Sequence, residues 1–241
     1  MRLLDLFCGA GGAAMGYSRA GFDEIVGVDI TPQPRYPFTF VLGDALEYVT
    51  AHGHEFDAIH ASPPCQKFTT LRGMWNHKPE HPDLVAPTRE ALRTIGCPWV
   101  IENVPHAPLG RGSIMLCGTM FSLGTKDGVA ELRRHRYFEL NHGPALVPEC
   151  RHRIRTIGVY GNAGGASARE KAQMFLTHQW REAMGIDWMT GDELSQAIPP
   201  AYTEFIGRQL IQSIPRGSTS GYGAVPIAGV TAGGNSQSFA G

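Results

Sequence analysis

Three short stretches hold the residue types that can do chemistry. Ser62-Pro63-Pro64-Cys65-Gln66 sets a cysteine directly behind two prolines. The prolines stiffen the backbone and fix the direction of the residue that follows. A thiol held in this way just beyond an apolar strand is a candidate nucleophile. Its thiolate is the reactive form, and a nearby cation or hydrogen-bond donor would lower its pKa. An isolated Pro-Pro-Cys is otherwise a structural turn, and its place at the expected cleft separates the two readings. Glu102-Asn103-Val104 follows the very apolar run Trp99–Ile101. A carboxyl group there is partly desolvated, so its pKa rises and it can hand over a proton near neutrality. Read alone, a strand-end glutamate bonded to a helix N-terminus fits as well. Gly9-Ala10-Gly11-Gly12-Ala13-Ala14 satisfies G-x-G-x-x-A, with acidic Asp29 closing the next apolar run. Glycines there let the backbone approach a ligand, and the acid accepts bonds from ribose hydroxyls. The pattern fits any adenosine-containing cofactor and does not choose between a dinucleotide and S-adenosylmethionine; a tight glycine turn explains the motif by itself. Asp44 strengthens the cofactor reading because it falls at the same sheet edge.

The elements that must position these residues follow from the apolar pattern. Strands are expected at Leu3–Phe7, Ile25–Val28, Phe38–Leu42, Phe56–His60 and Pro98–Ile101. Helices are expected over Ala13–Ala20, Ala45–Ala51 and Leu84–Ile95, with a long loop from Lys67 to Pro82. Strands alternating with helices at this spacing imply a mostly parallel sheet covered on both faces, an α/β fold of Rossmann-like form. Ligands bind such sheets at the carboxyl ends of the strands, where Cys8–Gly12, Asp29, Asp44, Pro63–Gln66 and Glu102-Asn103 fall. Beyond residue 105 the alternation fades. Ile114–Cys117, Arg136–Leu140 and Thr156–Tyr160 read as strands, and Ala168–Met184 and Pro200–Ile214 as helices.

Composition narrows the class. The 241 residues are 42% hydrophobic, 18% charged and 9% aromatic, with 21 basic against 22 acidic side chains and a formal net charge of −1. That suits one sizeable domain with a buried core and argues against wholesale disorder. No apolar run reaches the ~18 residues of a membrane span, and the N-terminus lacks a signal peptide's pattern. A cytoplasmic protein with no membrane partner is expected. Cys8, Cys65, Cys97, Cys117 and Cys150 are odd in number and include no C-x-x-C pair, so reduced thiols are expected, with Cys8, Cys97 and Cys117 as inert core residues. Residues 217–241 hold seven glycines and no charged side chain and read as a flexible extension.

Taken together, Asp5-Leu6-Phe7-Cys8-Gly9-Ala10-Gly11-Gly12, Pro63-Pro64-Cys65-Gln66 and Glu102-Asn103-Val104, in that order and spacing, resemble the motifs of a DNA (cytosine-5)-methyltransferase. Arg133-Arg134-His135-Arg136-Tyr137-Phe138 resembles the family's Arg-x-Arg segment. Ala197-Ile198-Pro199-Pro200, followed by Ile206-Gly207, resembles its last motif. The similarity covers about residues 1–140 and 195–210, and five motifs in order are a strong signal. The resemblance implies an S-adenosylmethionine-dependent methyltransferase fold acting on DNA in a bacterial cell or virus-infected host; the sequence does not set the oligomeric state, for which a monomer is the default. It assigns Cys65 to attack on C6 of a flipped-out cytosine and Glu102 to hydrogen bonding at N3 and the amino group. Arg136, with Arg134, would steady the base O2. Cytosine C5 is a poor nucleophile until a thiolate adds across the 5,6 bond, and the base must leave the stack to be reached. By the same resemblance, S-adenosylmethionine is held by Phe7, Gly9, Ala10, Gly11, Gly12, Asp29 and Ile30. Asp44, Ala45, Pro63, Gln196, Ala197 and Ile198 complete that site, while Pro64, Gln66 and Asn103 meet the substrate.

Departures from the family pattern are informative. Leu132 stands where the family has glutamine, Ser195-Gln196 replaces its Gly-Asn, and Lys67 follows Gln66. Only residues 139–194 remain for target recognition, so that region is much reduced, as in compact members carried by bacteria and their viruses. The expected layout is a catalytic core over 1–140, a reduced DNA-contact region over 141–190, a C-terminal helix over 191–215 and a tail over 216–241. Between Arg133 and Arg155 lie six arginines (133, 134, 136, 151, 153 and 155) against Glu139 and Glu149, a local 6 − 2 = +4. Arg151, Arg153 and Arg155 are therefore candidate phosphate contacts, although a basic run can also be a solvated face. Cys150 and His152, with His142 upstream, could ligate zinc. Three scattered ligands without C-x-x-C spacing leave the expectation at no resident metal.

Three other readings compete. Thymidylate-synthase-like chemistry also uses a Pro-Cys nucleophile on a free pyrimidine nucleotide, but the glycine loop and the Glu-Asn-Val segment fit it poorly. A methyltransferase-fold module could bind DNA without catalysis, against which stand Cys65, Glu102 and Arg136. A nicotinamide dehydrogenase would explain Gly9–Ala14 and leave Pro63–Gln66 and Glu102 idle.

Overall fold

The computed structural model describes residues 1–64, 83–142, 146–160 and 175–214. Five parallel strands come first: β1 (Arg2–Leu6), β2 (Glu24–Asp29), β3 (Thr39–Leu42), β4 (Ala58–Ala61) and β5 (Trp99–Asn103). β6 (Ile114–Leu116) and β8 (Arg136–Leu140) extend the same sheet in the order β3-β2-β1-β4-β5-β8-β6, with β8 antiparallel to both neighbours. β7 (Glu131–Leu132) pairs with β9 (Thr156–Ile157) in a small separate sheet.

The near-continuous apolar strands reflect a sheet covered on both faces. Side chains alternate between those faces. On β1, Leu3 joins a cluster with Ile25, Ala58, Val100, Tyr17, Tyr202 and Ile206, under α1 (Gly12–Ala20) and the last helix, α6 (Pro200–Ser213). Leu4 and Leu6 turn the other way, joining Val26, Val28, Ile59, Ile101, Val49 and Leu92 under α2 (Ala45–His52) and α3 (Val85–Ile95). A third cluster gathers Leu132, Ile157, Val159, Ala183, Met184 and Leu194 around the small sheet, α4 (Thr177–Met184) and α5 (Gly191–Gln196).

The α/β architecture matches the sequence expectation, and the differences have local causes. A 3-10 turn over Gly53–Glu55 takes up chain before β4, which therefore starts at Ala58 rather than Phe56. β5 runs on through Glu102-Asn103, because β8 supplies partners to both residues. The expected strand Thr156–Tyr160 is only Thr156–Ile157. The helix expected over Pro200–Ile214 is α6, Pro200–Ser213, and the stretch 191–215 laid out as one C-terminal helix also holds α5. Proline lacks an N–H and suits a first helical turn, so Pro199-Pro200 ends one helix and begins the next. Of the helix expected over Ala168–Met184, the described part is Thr177–Met184. The loop from Lys67 to Pro82 and the tail from 216 lie outside the described residues.

α6 returns to lie against α1 at very short range. A Cβ on Gly16 would stand 2.0 Å from Thr203 Oγ1 and 2.2 Å from the Pro200 carbonyl oxygen. Alanine in a helix is favoured over glycine by about 1 kcal/mol, whereas overfilling a packed contact costs about 1–3 kcal/mol. The obstacle here is partly backbone, which cannot rotate aside, so the steric effect wins. Gly16→Ala is expected to lower stability in urea by about 1–2 kcal/mol; an unchanged or raised midpoint would show that the helices do not meet this closely.

Candidate active site

The parallel strands deliver their carboxyl ends to one edge. After β1 the chain enters a strained turn, with Phe7 at φ 56° and Gly9 and Gly11 at φ 48° and 83°. A positive φ on a large non-glycine residue is unusual and persists only where the surroundings enforce it. Asp29, at the end of β2, is part of that enforcement: its Oδ2 accepts from the Gly9 N–H at 3.0 Å, and its Oδ1 accepts from the Thr31 N–H and hydroxyl. Asp44 caps α2, its Oδ1 accepting from the N–H groups of Leu46 and Glu47. Beside these acids two apolar side chains stand in solvent, Ile30 at 75% exposure and Leu42 at 59%. The β2–β3 register sets Leu42 opposite Asp29. Ala45, expected among the cofactor contacts, is buried with Val26, Val28 and Val49, so its methyl group serves the core.

The C-terminal segment reaches the same edge. A Cβ on Gly12 would lie 2.5 Å from the Ile198 carbonyl oxygen and 3.3 Å from Ala197 Cβ. Only a residue without a side chain admits that approach, which brings Ala197 and Ile198 onto the glycine loop with Gln196 exposed beside them. The Trp188 indole N–H donates to the Ala10 carbonyl at 2.9 Å. Trp188 was not singled out in the sequence, where it falls between the expected helices.

The second half of the site surrounds Glu102. Its carboxyl group is buried, and Arg136 Nε lies 3.0 Å from Oε1, out of line for a hydrogen bond. Burial raises the Glu102 pKa above the ordinary 4.5, opposed by the charges of Arg136 and Arg134 and by a hydrogen bond from Ser62. Ser62 also contacts His60 Nε2 at 2.8 Å, and His60 Nδ1 lies 2.9 Å from the Tyr17 hydroxyl. Burial pushes His60 down to about 3, so it is neutral. With Ser62 donating to Glu102, one proton arrangement satisfies the row: Tyr17 O–H donates to Nδ1, and Nε2–H donates to Ser62 Oγ. Neither His60 nor Tyr17 stood out in the sequence; both sit in apolar runs.

Several expected site residues serve the frame. Arg134 is 2% exposed and donates to the Val159 and Ser195 carbonyls at 2.5 and 2.7 Å. Burial and the Arg136 charge push its guanidinium down to about 9, still protonated at neutrality. Both of its terminal nitrogens face backbone, which makes it a positioning residue, in contrast to the pairing with Arg136 expected from the sequence. Asn103, expected at the substrate, is 1% exposed and donates to the Pro63 carbonyl at 2.9 Å, so it holds the Pro63-Pro64 turn instead. Cys65 and Gln66 lie outside the described residues, directly after this turn. Cys8 and Cys97 fit the expected inert thiols, with burial pushing Cys8 far up and Cys97 to about 11.

The arginine run divides. Glu139 makes two 2.7 Å hydrogen bonds with Arg89 and so does not offset the run. Arg151 pairs with Glu149, and Arg155 lies over the Phe175 ring at 4.7 Å. Arg133, Arg151, Arg153 and Arg155 are exposed, whereas Arg134 and Arg136 belong to the interior of the site. Cys150 and His152 come together with Cys117 and His135, not with His142.

The sheet and its covering helices recur in solved structures. A DNA modification methyltransferase encoded within an E. coli prophage superposes with a TM-score of 0.53 at 14% identity, over 88% of this chain and 99% of its own. The Dnmt2 methyltransferase of S. pombe gives 0.51 at 12% identity, over 88% and 98%. The protein thus has the Rossmann-like methyltransferase fold. Residues 1–107 match the family model for C-5 cytosine-specific DNA methylase. Type II methyltransferase M.XorII of Xanthomonas oryzae pv. oryzae is 34% identical over 172 residues, 64% of this chain and 39% of that protein. Type II methyltransferase M.FnuDI of Fusobacterium nucleatum is 34% identical over 83 residues, 31% of this chain and 24% of that protein. The chain spans well under half the length of either curated relative.

The perturbed carboxyl group gives a signed test. Its neutral form fits the fold better than its charged form, so the stability it contributes is present below its ordinary pKa of 4.5 and lost as pH rises through the raised folded value. Glutamine mimics the neutral form. Relative to the parent, Glu102→Gln is expected to gain stability between pH 4 and pH 7.5, measured by thermal unfolding across that range. A difference that stays flat with pH would mean that Glu102 is not held neutral by burial.

Proposed function

We propose that the protein transfers a methyl group from S-adenosylmethionine to C5 of cytosine in DNA. The observation that carries this reading is the convergence on one sheet edge of a strained glycine loop, an exposed apolar pair beside Asp29, and a buried Glu102–Arg136 pair. That pair lies next to the Pro63-Pro64 turn that leads into Cys65.

The residues at the edge suit the cofactor. Ile30 and Leu42 offer flat apolar contact for an adenine ring, Asp29 and Asp44 stand where ribose hydroxyls need acceptors, and Gly9–Gly12 present backbone without side chains. Phe7, Pro63 and Gln196–Ile198 line the remainder. When bound, S-adenosylmethionine supplies an electrophilic methyl group.

The protein's own residues supply the activation. The Cys65 thiolate adds to C6 of the base, forming an S–C bond and pushing the electron pair of the 5,6 double bond towards C5 and the ring. Glu102, whose pKa burial raises, gives its proton to N3 and absorbs the charge that develops there. Arg136 Nε keeps the carboxyl group oriented and remains next to it when it becomes a carboxylate. After C5 is methylated, a base removes its proton, the electron pair re-forms the 5,6 double bond and expels the Cys65 thiolate, and N3 returns its proton to Glu102. Asn103 holds the Pro63-Pro64 turn, and Arg134 ties the Arg136 strand to Ser195; both position the reacting groups. Pro64 and Gln66 flank the nucleophile on the substrate side. A base in a duplex is out of reach of such a cleft, so the target base must leave the stack. Exposed Arg151, Arg153 and Arg155, in the reduced region over 141–190, provide phosphate contacts along the DNA.

DNA carrying 5-fluorocytosine tests the covalent step, because fluorine at C5 blocks the last proton loss. With S-adenosylmethionine present, the protein is expected to form a denaturant-stable adduct, and Cys65→Ser to abolish it while binding the cofactor unchanged. Trapping that survives in the serine variant would remove Cys65 as nucleophile; trapping of free nucleotide in place of DNA would move the substrate class.

Ile30 tests the cofactor site without endangering the fold, since its side chain is largely in solvent. Ile30→Ala removes apolar contact of about 1–2 kcal/mol and is expected to weaken S-adenosylmethionine binding about tenfold in calorimetry, at an unchanged melting temperature. Equal affinity would place the adenine elsewhere.

A further inference from the structure

Four side chains from separate parts of the chain converge beside the arginine strand: Cys117 at the end of β6, His135 immediately before β8, and Cys150 and His152 in the segment leading to β9. Their sulfur and ring-nitrogen atoms all lie within 4.8 Å of one another. We propose that these residues form a structural zinc site of Cys2His2 type.

The distances carry the argument. With Zn–S near 2.3 Å and Zn–N near 2.05 Å, a tetrahedron has a sulfur-to-nitrogen edge of about 3.5 Å. His152 Nε2 lies 3.4 Å from Cys117 Sγ and 3.2 Å from Cys150 Sγ, and His135 Nε2 lies 3.5 Å from Cys150 Sγ. Three of the four sulfur-to-nitrogen edges are thus at metal-site length. A neutral imidazole nitrogen has one proton at most, so hydrogen bonding alone does not explain one nitrogen turned towards two sulfurs. A Cys117–Cys150 disulfide would explain the thiols but leave both histidines without a reason to converge. Two thiolates and two imidazoles in a tetrahedron are the donor set that zinc takes in closed, structural sites. An outer contact is also in place, with the Thr119 hydroxyl 3.5 Å from Cys117 Sγ and 3.9 Å from Cys150 Sγ, able to support thiolate charge.

The fold has a use for such a link. From residue 146 to 155 every residue except Cys150 is exposed, including Leu146, Val147 and Ile154. None belongs to a core cluster, so apolar burial does not hold this segment. Its backbone tethers are at the far end, where Glu131 Oε1 accepts from the Arg153 N–H and the Glu131 N–H donates to the Arg155 carbonyl. A metal bound by Cys150 and His152 would anchor the near end to β6 and to the residue between Arg134 and Arg136. It would thereby fix both the exposed arginines and the strand that carries Arg136.

The test needs no assumption about methyl transfer. The full chain, made without a metal-binding tag and purified in a mild reductant, is expected to contain about one zinc per chain by mass spectrometry of the metal. Replacement by Co2+ should give the intense visible bands of a tetrahedral thiolate site. Cys150→Ser and His152→Ala are each expected to lose zinc on dialysis against a chelator that leaves the parent loaded, while Cys97→Ser keeps it. Should those variants unfold, the parent's zinc content and cobalt spectrum still decide. A metal-free parent without the cobalt bands, loss of zinc in Cys97→Ser equal to that in Cys150→Ser, or a Cys117–Cys150 disulfide in the reductant-purified protein would each overturn the site.

Discussion

The arrangement depends on a backbone-to-backbone contact between the two ends of the described chain. α6 begins against α1, with the Ile198 and Pro200 carbonyls lying where Gly12 and Gly16 would carry side chains. The Thr203 hydroxyl donates to the Ala13 carbonyl at 2.8 Å within that contact. One turn of α6 then does three things. It sets Ala197 and Ile198 on the glycine loop, carries Tyr202 to the Arg134 carbonyl at 2.6 Å, and leaves the Ser195 carbonyl for the Arg134 guanidinium. Arg134 is two residues from Arg136, so the register of β8 beside Glu102 is fixed by a helix residue 68 positions further along the chain. Loosening the helix contact would disturb the cofactor edge and the carboxyl group together.

Glu102 is the electrostatic consequence of that geometry. Breaking a buried ion pair costs about 3–5 kcal/mol because the remaining charge has no partner, so a site holding Arg134, Arg136 and Glu102 must supply partners for each. Arg134 takes backbone carbonyls, Arg136 takes the His135 carbonyl and the flank of Glu102, and Glu102 takes Ser62. The row continues through neutral His60 to Tyr17 on α1, so the polar chain ends inside the apolar core without a further charge. Neutral groups at the inner end and a cation at the outer end surround Glu102, whose pKa burial raises. A charged His60 would instead favour the carboxylate.

How far the sequence foretold this differs by residue. Gly9–Gly12, Asp29 and Glu102 were legible because their types are unusual at strand ends, where a parallel sheet gathers ligands. The alternation of Leu3 and Leu4 between two cores was legible for the same reason that the strands were. Asn103 and Arg134 were recognised as belonging to the site but assigned to the substrate, since a motif gives proximity and not direction; their polar atoms turn out to face Pro63 and Ser195. His60, Tyr17 and Trp188 were not legible at all. Each lies in an apolar stretch, where an aromatic or a histidine reads as packing, and its partner is 43 residues away for Tyr17 and 178 for Trp188. Of the Cys117–His135–Cys150–His152 group, Cys150 and His152 were legible as possible metal ligands with His142, whereas Cys117 and His135 were not, because folding and not sequence spacing brings them together.

The described residues after β8 are held by the rest of the fold. A recognition domain of ordinary size holds itself together with its own apolar core, and small units without one depend on disulfides, metals or contacts with a neighbour. Here the buried residues beyond β8, such as Ile157, Val159, Met184 and Leu194, pack into one cluster with Ala10 of the glycine loop and Leu132 of β7. Among the described residues they extend the body that carries the site and form no core apart from it. The exposed arginines are therefore mounted on the rim of the site itself, with Arg153 and Arg155 tethered through Glu131, three residues before Arg134. Whatever docks on those cations therefore presses on the strand that carries Arg136, beside Glu102.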